Sequence, residues 1–247
     1  MPNLPDKPRK DQPFVQLLPN VVTIAAICAG ITAIQQAFFG KYESAVILIL
    51  IATVLDGLDG RLARALNSDS LIGAELDSLA DFANFGVAPA LVMYLWALQD
   101  LAKFGWIAVM VFAVCCVVRL ARFNVANKSE QDDDNDGYFV GVPAPAGALL
   151  VMAPMYLDFA YSGDAHLPSG LISLYMVLVG WLLISRIPTW SFKALSISRE
   201  HTRFLLVGVA MLGAAILTFT WLSLVGLCLA YGVMILWGLW KRRRAQS

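Results

Sequence analysis

Apolar residues run along this chain in stretches of about 20, the length a helix needs to cross the hydrocarbon core of a bilayer, and short polar links separate them. The pattern predicts helices over residues 18–37, 43–64, 73–98, 104–124, 143–161, 169–187, 204–220 and 222–240. The last two come from one apolar run, Phe204 to Trp240, which at ~1.5 Å per residue is too long for a single crossing. A tight hairpin near Thr218–Ser223 is predicted to break it.

Composition agrees with this pattern. Of the 247 residues 59% are hydrophobic and 15% charged, with a mean hydropathy of +0.68. A soluble domain is nearer 45–50% apolar and about 25% charged. The fold class predicted is all-α, a polytopic membrane helical bundle of about eight transmembrane helices. No cleavable signal peptide is expected, because residues 1–13 are polar and carry four prolines.

Net charge is zero, but the positive charges are segregated. Eight spans put both termini on one side, and sixteen of the 18 lysines and arginines fall there, leaving only Lys41 and Lys103 opposite. That asymmetry predicts cytoplasmic termini and a cell-membrane location. The acidic run Asp132, Asp133, Asp134 and Asp136 reads as a solvated loop. Cys28, Cys115, Cys116 and Cys228 lie in apolar runs without zinc spacing and read as small core residues. His166 and His201 are single and far apart, so a histidine metal centre is not expected.

The unusual stretch is Asp56 to Asp81, which places four aspartates, Asp56, Asp59, Asp77 and Asp81, where the chain is otherwise built for lipid. An acidic residue at the centre of a membrane helix costs roughly 2.5–3.5 kcal/mol. Four uncompensated ones would cost on the order of 10 kcal/mol, the scale of a domain's net stability. They must face a wet cavity or meet cations. Asp56, Asp59, Gly60, Ala63 and Arg64 fall on one face of the second helix, and Gly73, Asp77 and Asp81 on one face of the third. The short polar link around Asn67–Ser70 lets these faces oppose each other. Hard oxygen ligands in an open cleft suit Mg²⁺ or Mn²⁺.

Small residues between the acids leave room for a ligand, or else serve close helix packing. Arg64 can meet a phosphate or extend toward the interface. Divalent ions at such a cleft point to a phosphorylated or diphosphate substrate, with a spare carboxylate to take a proton. Arg119, Arg122 and Asn124 sit at the cytoplasmic end of the fourth span, as positive-inside anchors or as an anion site; the two arginines are three apart and suit one shared anion. An intramembrane prenyltransferase and a cation transporter are the rival classes. The first is expected to carry two separated aspartate motifs and the second related halves, and neither pattern is visible.

These residues resemble the CDP-alcohol phosphotransferases, whose signature is D-x2-D-G-x2-A-R-x8-G-x3-D-x3-D. Asp56, Asp59, Gly60, Ala63, Arg64, Gly73, Asp77 and Asp81 match it at every fixed position and spacing. The resemblance implies a site for two metal ions held by the four aspartates, with Asp81 as general base. Gly60, Ala63 and Arg64 would line the pocket for the CDP moiety, and Gly73 belongs to the same signature. It also implies a six-helix core over 18–187, a tail over 1–17, a two-helix extension with a basic tail over 188–247, and a homodimer. Leu18-Pro19-Asn20 with Thr23, the run 77–91, Arg119–Val125 and Gly141–Pro145 are similar to the serine-using bacterial and archaeal subfamily. Members there more often carry Ser where this chain has Asn84 and Leu where it has Val142. The expected substrates are therefore CDP-diacylglycerol and L-serine, drawn from the lipid bilayer and the cytoplasm, with no nucleic-acid partner. A sibling activity on glycerol 3-phosphate, inositol or choline shares the same signature.

Overall fold

A computed structural model of the chain describes residues 14–66, 68, 70–129, 139–161, 167–185, 188–189 and 202–245. Helix α1 (Leu18–Phe38) starts with Pro19 in its first turn, where a missing N–H costs nothing. Its buried stripe is Pro19, Thr23, Ala26, Gly30, Ala33 and Ala37, almost all small. That lets α2 (Tyr42–Leu66) pack along it through Ala45, Val46, Ile49, Ala52 and Asp59. The opposite faces of both helices expose Val21, Ile24, Ile31, Ile47, Ile51 and Val54, as a lipid-facing surface would.

After the link, α3 (Leu71–Asp81) begins at Ser70, whose hydroxyl accepts from Gly73 N–H at 3.0 Å. The rod runs on through a π-helical turn at Phe82–Val87, α4 (Ala88–Met93), a second π turn at Tyr94–Leu98 and a 3₁₀ turn at Gln99–Leu101. Pro89 in α4 has no N–H to give to Phe85. Ahead of it the ladder widens, and Ala88 N–H bonds to Ala83 O. The predicted helix 73–98 is thus one rod of changing pitch.

Helix α5 (Ala102–Ser129) folds back against this rod, so close that a Cβ on Gly105 would lie 2.5 Å from Leu98 O. Tyr94 and Trp106 meet edge to face at 5.4 Å beside that corner. On its other side α5 packs on α8 (Ser169–Ile184), where Gly180 faces Phe112. The predicted span 143–161 is corrected to two helices, α6 (Ala144–Val151) and α7 (Ala153–Ala160), broken at Met152. Pro154 cannot bond to the carbonyl of Leu150, and Tyr175 Oη donates to that carbonyl instead at 2.7 Å.

Phe139–Val140 (β1) and Pro188–Thr189 (β2) form a two-residue antiparallel pair, joining the entry of α6 to the exit of α8. Gly141 follows with φ +98°, and a Cβ there would lie 2.9 Å from Ser185 O, so only glycine fits without strain. Helices α9 (Thr202–Thr218) and α10 (Thr220–Ala245) divide the long terminal run at Phe219, inside the predicted break.

Among the described residues four helices are long and apolar enough to cross a membrane: Leu18–Phe38, Ile72–Leu101, Lys103–Ala126 and Thr220–Gly238. In α2 Asp56, Asp59, Arg61 and Arg64 lower the hydropathy, and α8 has only 16 residues. The predicted solvated run Asp132–Asp136, the two histidines, and Arg186, Lys193 and Arg199 lie outside the described residues.

Candidate active site

The N-terminal ends of α1 and α3 and the C-terminal end of α2 enclose a cavity of about 420 Å³. From α1 come Pro19, Asn20 and Thr23; from α2 Asp59, Gly60, Ala63 and Arg64; from α3 Gly73, Ala74 and Asp77. The two signature faces therefore look at each other across one space. Ser68 and Ser70, from the link between α2 and α3, also line it. Sequence reasoning missed both serines, although Ser70 three residues before Gly73 has the spacing of a helix N-cap.

Each glycine has a distinct reason to be one. A Cβ on Gly60 would meet no atom within 4 Å, so that position opens straight onto the cavity. A Cβ on Gly73 would crowd Ser70 Oγ at 3.0 Å and Asn20 Oδ1 at 3.1 Å, so here the cap and the α1 contact need the space. A Cβ on Gly30 would clash with Asn84 Oδ1. Asn84 is fully buried in the π turn, and neither of its amide atoms has a partner among the described residues.

The carboxylates are held differently. Thr23 Oγ1 donates to Asp59 Oδ2 at 2.6 Å, and the other oxygen of Asp59 is buried without a donor. Asp56 and Asp81 face each other within hydrogen-bonding reach, and Asp56 Oδ1 is buried without a hydrogen-bond partner among the described residues. Asp77 lies within electrostatic range of Asp56 and Asp59. Arg119 reaches in from α5, where its charge faces Asp81, and its guanidinium sits 5.3 Å from the Phe123 ring. Among the described residues no three acidic, cysteine or histidine side chains already converge on one point as a ready metal shell. The donor chemistry nevertheless fits a hard divalent cation. Four carboxylates share the region, and among the described residues two of their buried oxygens lack any donor and no thiolate or imidazole lines the cavity.

The remaining predicted residues have structural partners. Arg64 Nε folds back to Gly60 O at 3.1 Å at the exposed rim. Arg122 lies one turn beyond Arg119 on α5. Its Nη1 donates to Ile184 O at 2.8 Å, capping the end of α8. Asn124 Nδ2 donates to Ser78 Oγ at 2.9 Å and ties α5 to α3.

These features define a polytopic helical membrane protein with a carboxylate-rich polar pocket at its helix ends. Residues 16–245 match the family described as CDP-alcohol phosphatidyltransferase, and the chain belongs to that family. The match runs through α9 and α10, beyond the stretch from which the resemblance was read. Curated relatives of the chain carry the name CDP-diacylglycerol–serine O-phosphatidyltransferase. The protein from Mycobacterium tuberculosis (strain ATCC 25618 / H37Rv) is 40% identical over 88% of this chain and 76% of its own. That from Mycobacterium leprae is 38% identical over 88% and 72%. That from Helicobacter pylori (strain ATCC 700392 / 26695) is 34% identical over 88% and 90%.

Proposed function

We propose that the chain transfers the phosphatidyl group of CDP-diacylglycerol to the hydroxyl of L-serine, giving phosphatidylserine and CMP. One observation carries the choice of acceptor: relatives named for serine transfer align over 88% of the chain. In this reading Asp81 takes the serine proton as the oxygen bonds to the diacylglycerol-linked phosphorus, and the bond from that phosphorus to the CMP oxygen breaks. Asp56, beside Asp81, and Arg119, facing it, orient the carboxylate.

Asn20, Thr23, Gly60, Ala63, Arg64 and Gly73 take the CDP moiety, for which the cavity volume is within the usual small-molecule range of about 300–1,000 Å³. Asp56, Asp59, Asp77 and Asp81 are proposed to hold Mg²⁺ or Mn²⁺, two ions in all. Such ions, when bound, neutralise charge on the diphosphate and on the departing CMP. Thr23 keeps Asp59 turned toward that position. Arg119 supplies a cation for the acceptor. Arg122 and Asn124 hold α5 in place against α8 and α3.

The same proposal includes eight spans with a core over 18–187, both termini and the pocket on the cytoplasmic side of the cell membrane, and a homodimer. The segregation of lysine and arginine supports the orientation. The test is an acceptor screen: purified enzyme, CDP-diacylglycerol, and labelled serine, glycerol 3-phosphate, inositol or choline. Serine alone is expected to yield lipid product with one CMP released per lipid formed. Product from another alcohol and none from serine overturns the assignment.

A further inference from the structure

Helix α10 lies outside the stretch that carries the signature, yet its inward face comes within electrostatic range of the arginine that faces Asp81. Leu224, Cys228 and Ile235 are buried along one stripe, and Tyr231 shares it at helical spacing. The stripe is seated firmly. Cys228 Sγ lies 3.6 Å from Leu149 O at the break after α6, and Trp221 meets Phe159 of α7 edge to face at 4.8 Å. In this position Tyr231 comes within electrostatic range of Arg119, the residue whose charge also faces Asp81. The Tyr231 hydroxyl is shielded from solvent and has no hydrogen-bond partner among the described residues.

A buried hydroxyl without a partner is unfavourable, and phenylalanine would fill the same volume without that cost. The packing of α10 therefore explains the ring and leaves the oxygen unexplained. Three helices bring a carboxylate (Asp81), a guanidinium (Arg119) and a hydroxyl (Tyr231) to one neighbourhood. Serine offers the complement: a hydroxyl to lose a proton, and a carboxylate that takes a cation and a neutral donor together. We propose that Tyr231 binds the acceptor, its hydroxyl donating to the serine carboxylate beside Arg119, so that the last helix helps set which alcohol is used. This rests on serine as acceptor.

The test uses the purified full chain with L-serine and with L-serine methyl ester, whose carboxylate is masked. Tyr231→Phe is expected to raise the KM for serine about tenfold, the scale of one hydrogen bond to a charged group. The KM for CDP-diacylglycerol stays unchanged, and the preference for serine over its ester shrinks by a similar factor. An unchanged serine KM overturns the inference, as does an equal rise in both KM values. So does a wild-type enzyme that uses the ester as readily as serine, which needs no variant to fold. A wild type that makes no phosphatidylserine refutes the proposed function instead, so the two failures are distinct.

Discussion

Thr23→Val tests how the pocket is held together. Valine has nearly the shape of threonine and keeps the contact between α1 and α2, but it deletes the 2.6 Å donation to Asp59 Oδ2. The other oxygen of Asp59 already lacks a donor, so the variant removes the carboxylate's side-chain hydrogen bond and leaves only the backbone N–H of Gly60 in reach. A hydrogen bond to a charged group contributes about 1.5–3 kcal/mol, which is a factor of about 10–100. Removing a partner that orients a metal-binding carboxylate costs about as much in metal affinity or activity. The assay is initial rate against Mg²⁺ or Mn²⁺ concentration at fixed, saturating lipid and serine. The half-activating metal concentration is expected to rise at least about tenfold, with Thr23→Ser close to wild type. An unchanged metal dependence in Thr23→Val, with normal folding, refutes the view that Thr23 orients a metal ligand.

Two glycines should separate packing from ligand space. Gly30→Ala drives a methyl into Asn84 and is expected to destabilise by about 1–3 kcal/mol, read as a lower Tm in detergent. Gly60→Ala meets no protein atom, so Tm should hold while the KM for CDP-diacylglycerol rises. Arg122→Gln breaks the bond to Ile184 O and is expected to cost about 1 kcal/mol of stability, with the serine KM unchanged. A large serine effect there would return Arg122 to the acceptor site.

The sequence revealed what depends on long runs and fixed spacing. Apolar stretches of membrane-spanning length placed the helices, and the three- and four-residue steps between Asp56, Asp59 and Gly60, and between Gly73, Asp77 and Asp81, put each set on one face. What stayed hidden depends on contacts between distant residues. Arg119 and Arg122 are indistinguishable by spacing, yet one faces Asp81 and the other caps α8, because only the packed bundle brings Ile184 within reach. The break in the fifth span at Met152 was not foreseen, and Tyr175, 21 positions after Pro154, donates to the carbonyl that the proline leaves free. The π turn after Asp81 was equally invisible, since Pro89 in an apolar run reads as an ordinary kink. Tyr231 had no motif to mark it, and the apolar run around it reads as plain lipid-facing helix.

In the proposed reaction, opposed carboxylates from α2 and α3 hold divalent ions for transfer from a nucleotide-linked lipid to serine. Its most direct test is phosphatidylserine formation by the purified enzyme, first stripped with a chelator and then titrated with Mg²⁺ or Mn²⁺. No product is expected in chelator, with recovery on adding back either ion and no recovery in Asp56→Asn or Asp77→Asn. Undiminished synthesis in the chelated enzyme contradicts it.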